Sequence, residues 1–255
     1  MNAHCGKLVA WAAFSLFLLT SGGCLDRMPG KPNPADRPQL PSEQTDFQVL
    51  FQRSCSGCHG ADGKFGPAPP LNDPLFLAIV PDEVLLDVVT HGRPGTPMPA
   101  FDKRVAGTLT DEQIQILAGG LKSHFKLTSA AGDVPPYKGE SSIQPPAEQI
   151  ARGEKLFASA CAACHGDSGQ GSGDDDTGPG RVNDPALLSL FSNQALRRII
   201  ITGRPDLGMP NYVETDGRDG DFKPLKSEEI DDLVALLAHW RGRPQQVASS
   251  MAPNK

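Results

Sequence analysis

Apolar residues recur at helical spacing along most of the chain, and no segment shows the alternating pattern of a strand. The clearest case is 227–241, where four apolar residues occupy positions i, i+3, i+4 and i+7 behind Ser227, a favourable N-cap residue. Those four residues are Ile230, Leu233, Val234 and Leu237. Residues 111–125 show a similar pattern behind a capping box formed by Thr110 and Gln113. The pattern predicts an all-α protein.

The longest mostly apolar run, Leu8 to Leu19, follows Lys7. Its 12 residues are too few for a membrane span of about 20, but they suit the apolar core of a secretory signal. The small residues at 21–23 followed by Cys24 resemble a bacterial lipoprotein signal, in which the cysteine is lipidated. We expect a signal peptide over 1–23, lipidation of Cys24, and export to the periplasmic face of a bacterial membrane. The alternatives are a plain secretory signal, which releases a soluble protein, and an uncleaved anchor.

The rest of the chain contains two copies of one module. The hexapeptide Cys-x-x-Cys-His-Gly at 55–60 recurs at 161–166, an offset of 106 residues. Three later landmarks, Asn-Asp-Pro, Gly-Arg-Pro and Met-Pro, recur in the same order at an offset of 111. Repetition in a fixed order indicates a duplicated domain, with five residues inserted before Asn183 in the second copy. We place the first module at 43–127 and the second module at 147–243.

Proline-rich segments flank and separate the two modules. Residues 24–42 and 128–146 hold many of the 24 prolines, and we interpret both as linkers without a core of their own. Residues 244–255 form a polar tail. The net charge of −6 disfavours a nucleic-acid partner. The single apolar run excludes a multipass membrane protein.

Four of the six cysteines lie in the two Cys-x-x-Cys-His motifs, the attachment signature of c-type haem. Two cysteines three residues apart on a helical turn reach both vinyl groups on one haem edge. The adjacent His59 or His165 then points its imidazole at the iron. The expected thioether residues are Cys55, Cys58, Cys161 and Cys164. Disulfides, a thioredoxin-like pair and a zinc site are the alternatives, but the chain lacks a strand–helix context and a fourth zinc ligand in each module.

One methionine stands at the equivalent place in each module. Met98 follows His59 by 39 residues and Met209 follows His165 by 44, and removing the insertion makes these separations equal. Both methionines lie in loops whose prolines restrict the backbone and present one side chain rigidly. A lone methionine more often fills a core. The matched positions therefore predict that Met98 and Met209 are the second axial ligands.

Together these motifs resemble the class I c-type cytochromes over most of the mature chain. The resemblance implies two tandem all-α cytochrome c domains, each a few helices around a covalently bound haem, and therefore two haem c groups. It also implies that His/Met ligation raises the reduction potential. In this family a proline carbonyl commonly holds the axial imidazole, and Pro67 and Pro179 are the candidates. Arg93 and Arg204 are candidate partners of the haem propionates, with a solvated arginine at a turn as the alternative.

The expected function is electron transfer without catalytic residues. The protein would pass single electrons between redox proteins of an extracytoplasmic respiratory or photosynthetic chain, as a lipid-anchored carrier or as a subunit of a membrane complex. The enzyme alternative is a dihaem oxidoreductase of the peroxidase or sulfur-compound dehydrogenase type, which needs an iron with an open sixth position. A structural tether is a third alternative. A methionine in both modules favours electron transfer.

Overall fold

The computed structural model describes residues 33, 36–125, 134–140, 144–171, 179–218 and 220–242. It divides into an N-terminal unit, Met1–Glu43, and a main unit, Gln44–Lys255. The expected signal peptide, Cys24, most of the first linker and the polar tail lie outside the described residues. Within the described part of the chain, no helix has both the length and the apolar character needed to cross a membrane.

The N-terminal unit ends in a 3-10 turn, Pro41–Glu43, that is closed by a side chain. The Glu43 carboxylate accepts hydrogen bonds from the Leu40 backbone N–H at 3.0 Å and from Arg37 Nη2 at 2.8 Å. These two bonds lower the pKa of Glu43, with the backbone donor having the larger effect. The proline-rich segment therefore ends in a turn held by its own residues.

Side-chain caps begin three of the helices of the first module. Its helices are α1 (Phe47–Ser54), α2 (Ser56–His59), α3 (Pro74–Ile79), α4 (Asp82–His91) and α5 (Asp111–His124). Asp46 accepts from the third backbone N–H of α1 at 2.9 Å, and Asp73 does the same for α3 at 2.6 Å. Thr110 and Gln113 form the predicted capping box of α5. Each cap satisfies backbone donors that the first turn leaves unpaired.

Helix α5 packs against α1 and α4 and forms one wall of the first core. Its residues Ile114, Leu117 and Leu121 are buried at the spacing the sequence predicted. The other large buried side chains include Leu50, Phe51, Phe76, Leu77, Leu85 and Val89. Full burial of one such side chain is worth about 1.5–3 kcal/mol. This core fixes the helices from which the cysteine and methionine segments emerge.

The second module repeats this order of elements. Its helices are α6 (Ala147–Ala160), α7 (Ala162–His165), α8 (Pro185–Ser189), α9 (Asn193–Thr202) and α10 (Ser227–Arg241), with a 3-10 turn at Pro205–Leu207. Helix α10 begins at Ser227, but Lys226 takes the N-cap position that we expected for Ser227. The Lys226 N–H donates to Glu229 at 2.7 Å, whereas the Ser227 hydroxyl accepts from Arg197 at 2.8 Å. The hydroxyl is thus used for a tertiary contact.

Helix α10 lies at the centre of the second core and packs against α6, α8 and α9. Of its predicted apolar stripe, Ile230, Leu233 and Val234 are at most 2% exposed. Gly153 permits the close approach of α6, because a Cβ at this position would lie 2.3 Å from the Asp232 carbonyl oxygen. The described residues contain isolated β-bridges but no strand. The all-α prediction is therefore confirmed for this part of the chain.

The two modules are in contact, and the second expected linker takes part. Within its described portion, residues 134–140, Tyr137 is only 3% exposed and belongs to the core of the first module. The Tyr137 carbonyl accepts from Gln194 Nε2 at 2.6 Å, and the Pro136 carbonyl accepts from Arg197 Nη2 at 3.0 Å. This portion differs from the coreless linker we expected, because the Tyr137 ring is buried in the core of the first module while its backbone carbonyl binds the second.

Candidate haem-binding sites

The first cysteine motif lies on a single helical turn. Cys55 ends α1, and the backbone N–H of His59 donates to the Cys55 carbonyl at 3.0 Å across α2. Directly after His59 the chain reverses at Gly60, where φ is +83°. A Cβ at Gly60 would lie 1.7 Å from the Lys64 carbonyl oxygen, so this turn requires glycine. The turn presents both cysteines and the histidine from one short segment.

These residues line a cavity of about 360 Å³, a size within the range of ligand pockets. Its wall includes the predicted thioether and axial residues of the first haem: Cys55, Cys58, His59 and Met98. Most of the remaining wall is apolar, and it includes Leu71, Phe76, Leu85, Val89 and Leu117. An apolar cavity with two thiols, an imidazole and a thioether suits a flat macrocycle that holds iron. We call these four residues and their cavity the first site.

The His59 imidazole is fixed by a hydrogen bond of 2.8 Å between Nδ1 and the Pro69 carbonyl oxygen. A carbonyl only accepts, so Nδ1 carries the proton and Nε2 keeps its lone pair. Burial lowers the pKa of His59 to about 4, against the opposing effect of the Pro69 hydrogen bond. A neutral imidazole held in one tautomer is the form that ligates metals.

The acceptor is therefore Pro69, two residues after Pro67, which we had named from the resemblance. The Ala68 backbone N–H donates to the Cys58 carbonyl at 2.9 Å, and this pairing sets the register of the proline segment. Pro67 lines the cavity instead. The sequence alone does not reveal the register, because several prolines follow each other closely here.

The motif cysteines are free thiols, and no disulfide joins them. Burial raises the pKa of Cys55 to about 12, and the neighbouring Cys58 adds to the rise. Burial also raises the pKa of Cys161 to about 11, although Arg218 opposes this. The buried thiol of each pair is therefore protonated, and as a free thiol it is available to add to a haem vinyl group.

The two methionine loops close in the same way. In each loop the backbone N–H of the arginine five residues earlier donates to the methionine carbonyl at 3.0 Å. Gly92 and Gly203, at φ of +70° and +67°, lie beneath these loops. A Cβ at Gly92 would lie 2.6 Å from the Met98 carbonyl oxygen, and one at Gly203 would lie 2.5 Å from that of Met209. Both methionines are thus tied to the end of the preceding helix.

We call the four residues predicted to hold the second haem, Cys161, Cys164, His165 and Met209, the second site. Cys161 ends α6 and His165 ends α7, as in the first site. The Nδ1 atom of His165 is buried and has no hydrogen-bond partner of acceptable geometry. Burial lowers the pKa of His165, and the Gly180 carbonyl opposes this. The role of Pro179 stays a prediction. The acidic residues of the insertion, 174–176, lie outside the described residues.

Arg218 ties the methionine side of the second site to its cysteine side. Its Nη1 donates to the Asn211 carbonyl at 2.8 Å, and its Nε donates to the Ala160 carbonyl at 3.3 Å. Its guanidinium lies 4.2 Å from the centre of the Phe222 ring. Burial lowers the pKa of Arg218, while Cys161 opposes this. The sequence analysis missed Arg218, since an arginine between glycines and aspartates gives no signal of these contacts.

The two candidate propionate arginines lie in different surroundings. Arg93 lines the first cavity, and its Nη2 donates to the Tyr137 hydroxyl at 3.0 Å. Arg204 forms an ion pair of 2.9 Å with Asp206 and also donates to the Gly66 carbonyl at 3.2 Å. Arg204 is therefore engaged at the contact with the first module, whereas Arg93 lines the first cavity. Its role as a propionate partner stays a prediction.

Arg198, from helix α9 of the second module, also lines the first cavity. Sequence reasoning missed this residue, although one signal was present. At the offset of 111, Arg197 and Arg198 correspond to Leu86 and Asp87, so the pair of cations is absent from the equivalent helix of the first module.

Comparisons with known protein families divide the chain into two parts. Residues 42–119 match the family described as cytochrome c oxidase, cbb3-type, subunit III. Residues 150–240 match the family described as cytochrome c. A chain from the Kuenenia stuttgartiensis reducing HAO-like protein complex aligns with 80% of this chain and 98% of its own length, at a TM-score of 0.45 and 20% identity.

Curated relatives match parts of the chain. The cbb3-type cytochrome c oxidase subunit CcoP of Azospirillum sp. (strain B510) is 31% identical over 48% of this chain and 39% of its own length. The cbb3-type subunit FixP of Bradyrhizobium diazoefficiens is 28% identical over 62% and 50%. Cytochrome c55X of Stutzerimonas stutzeri is 39% identical over 28% and 57%. The chain thus spans about half the length of the curated relatives it matches.

Proposed function

We propose a function on the premise that this protein is a tandem class I c-type cytochrome with two covalently bound haem c groups. It relays single electrons between redox proteins of an extracytoplasmic respiratory or photosynthetic chain. A reduced donor protein gives one electron to the cytochrome, and an oxidised acceptor protein takes one electron from it. No substrate bond forms or breaks in this cycle.

The observation that supports this function best is the composition of the first cavity, where His59 and Met98 line one apolar space beside both cysteines. We assign His59 and Met98 to one iron, and His165 and Met209 to the other. The thioethers come from Cys55, Cys58, Cys161 and Cys164. A haem with His and Met ligands supplies one-electron redox chemistry at a raised potential. Two axial side chains leave no open position, which suits electron transfer better than substrate turnover.

The surrounding residues hold this arrangement rigid. The Pro69 carbonyl orients the His59 imidazole, and Gly92 allows the Met98 loop to lie against the end of α4. The mostly apolar wall offers few polar groups that have to reorient when the charge changes. A rigid site with few reorienting groups lowers the reorganisation that each electron transfer requires.

The partners we propose are proteins of a membrane respiratory complex. This proposal draws on the relatives, whose names describe subunits of cbb3-type cytochrome c oxidases. An anchor at lipidated Cys24, followed by the linker at 24–42, would keep the two modules near the membrane surface. A Cys24→Ser variant tests the anchor. The wild type should sediment with membranes and the variant should not, and equal distribution would refute lipidation.

Co-expression with a haem maturation system tests the electron-transfer function. Mass spectrometry should find two covalent haems per chain, and spectra should show low-spin iron in both. The double variant Cys55→Ala/Cys58→Ala should keep one haem, as should its counterpart Cys161→Ala/Cys164→Ala. One haem or none in the wild type would overturn the proposal. Peroxide turnover by a resting high-spin haem would overturn it in favour of the oxidoreductase alternative.

A further inference from the structure

Two consecutive buried arginines on α9 have opposite surroundings. Arg197 is 1% exposed, and its charge is matched by Asp231 at 2.7 Å. Its guanidinium also donates to the Ser227 hydroxyl at 2.8 Å and to the Pro136 carbonyl at 3.0 Å. Arg197 is therefore neutralised and hydrogen-bonded by the chain itself, as buried charges normally are.

Arg198 is 6% exposed and lacks such an anion. Within the described part of the chain it forms no ion pair with a carboxylate, and its Nε has no hydrogen-bond partner. Its Nη2 donates to the Pro70 carbonyl, and its guanidinium lies 3.4 Å from the centre of the Phe76 ring. Burial lowers the pKa of Arg198 to about 9, although Tyr137 and Asp73 oppose this. A buried cation with an unused donor is costly unless a ligand completes its shell.

The carboxylate that opposes the lowering of the Arg198 pKa, that of Asp73, already accepts a hydrogen bond as a helix cap. Asp73 caps α3, where it accepts from the Phe76 N–H at 2.6 Å. Arg198 lines the same cavity as His59 and Met98, so this residue belongs to the wall of the first site, and its unused Nε donor is buried. Arg93 lines this cavity too. Two arginines therefore line a cavity in which the described residues supply no paired carboxylate to Arg198.

We propose that Arg198 binds a haem propionate in the first site, so that the second module supplies a residue to the haem of the first. A haem brings two carboxylates, and a guanidinium is the side chain best shaped to bind them through parallel hydrogen bonds. The inference rests on the proposed haem in the first site. It makes Arg198 a binding residue that acts across the contact between modules.

This placement has a consequence for the reduction potential. Reduction adds one negative charge to the haem, and a fixed cation beside it stabilises the reduced form. Arg198 therefore raises the potential of the first haem. Because Arg198 belongs to α9, this increase depends on the second module remaining packed against the first.

Redox titration of the full haem-loaded chain tests the inference with the variants Arg198→Gln and Arg198→Lys. In Arg198→Gln the ratio of reduced to oxidised first haem at fixed ambient potential should fall about tenfold, which is a downward shift of about 59 mV for one electron. Arg198→Lys keeps the positive charge, so the potential of the first haem should lie between those of the wild type and Arg198→Gln. The first haem is identified as the one whose potential moves in Met98→His. Arg218→Gln, which removes a cation near the second site, should leave the potential of the first haem unchanged.

Resonance Raman spectroscopy supplies a second readout, because the propionate bending band reports hydrogen bonding of the carboxylates. This band should shift in Arg198→Gln, and the covalent attachment of both haems should persist. If both haems are attached but neither the band nor the potential of the first haem moves, Arg198 is a structural residue and the inference fails. If the first haem is not attached in the wild type, the proposed function fails instead.

Discussion

The two candidate haem sites share their motifs but differ in what surrounds them. In the first site the His59 imidazole is anchored at 2.8 Å by Pro69, and the cavity wall includes Tyr137 and Arg198 from outside the first module. In the second site His165 Nδ1 has no partner of acceptable geometry. The duplication thus kept the expected haem-binding residues while the surrounding walls diverged.

The difference indicates that the first site is completed by the rest of the chain. At equivalent positions, Leu86 and Asp87 of the first module correspond to Arg197 and Arg198 of the second. By contrast, the carbonyls that Arg218 binds in the second site all belong to the second module. A change at the contact between modules is therefore expected to alter the first haem more than the second.

Removing an axial ligand has the largest expected effect. In Met98→Ala the potential of the first haem should fall by a few tenths of a volt, within the roughly 0.8 V that axial ligands span. The loss of the thioether ligand opens the iron to added imidazole, while the covalent attachment stays intact. Redox titration with and without imidazole measures both effects.

Met209→Ala is the matched control and should change only the second haem. The two variants together assign each potential to a site, which makes the comparison of the sites quantitative. An unaltered spectrum and potential in Met98→Ala would reject Met98 as a ligand.

The buried ion pair of Arg197 gives the next largest effect. Asp231→Ala leaves Arg197 buried without its anion, and breaking such a pair should lower the free energy of unfolding by about 3 kcal/mol. Because Arg197 also binds the Pro136 carbonyl, beside Tyr137, the potential of the first haem should shift as well. Chemical unfolding and redox titration measure the two outcomes.

Asp232→Ala is the control, since its partner Arg152 is 58% exposed and becomes solvated when the carboxylate is lost. Its cost should be smaller than that of Asp231→Ala, because no buried cation is left without its anion. Equal losses of unfolding free energy in Asp231→Ala and Asp232→Ala would mean that the Arg197 ion pair stabilises the protein no more than the Arg152 ion pair does.

A smaller effect is expected at Tyr137. Tyr137→Phe removes the hydroxyl that accepts from Arg93 at 3.0 Å and keeps the buried ring. The free energy of unfolding should fall by about 1 kcal/mol, and the potential of the first haem should move while that of the second does not. A shift in both potentials would show that the residue acts on the whole molecule rather than on the first site.

Local patterns predicted much of the fold and of the sites. The apolar spacing located α5 and α10, and the capping box of Thr110 and Gln113 is confirmed. The repeat itself identified the segments that meet at the first cavity, because motif order survives duplication. These features depend on neighbours in sequence, which is why sequence reasoning reached them.

Contacts between distant segments were not predictable in the same way. Ser227 looked like a helix cap, but its hydroxyl binds Arg197. Tyr137 looked like part of a linker, but its ring is buried. The acceptor for His59 is Pro69 and not Pro67, because a backbone hydrogen bond sets the register of that loop. Each of these depends on a partner that only the tertiary packing brings near.

The smallest expected effect is acid sensitivity from an aspartate of the first module that the second module lacks at the equivalent position. After its methionine loop, Asp102 accepts hydrogen bonds from the Arg104 side chain and backbone, which lower the pKa of Asp102 to about 2. The stabilisation is therefore present above the ordinary aspartate pKa of 3.8 and disappears as the pH falls towards 2. At the equivalent position the second module has Val213, which cannot titrate.

Asp102→Asn should therefore lower the thermal midpoint of the first module at pH 6, and the difference from the wild type should vanish near pH 2. Asp111→Asn removes the other, exposed partner of Arg104 and should have a smaller effect at pH 6. Calorimetry from pH 6 to pH 2 compares the two variants. A difference between Asp102→Asn and the wild type that persists at pH 2 would mean that the side chain acts through packing. In that case, ionisation would not distinguish the two modules.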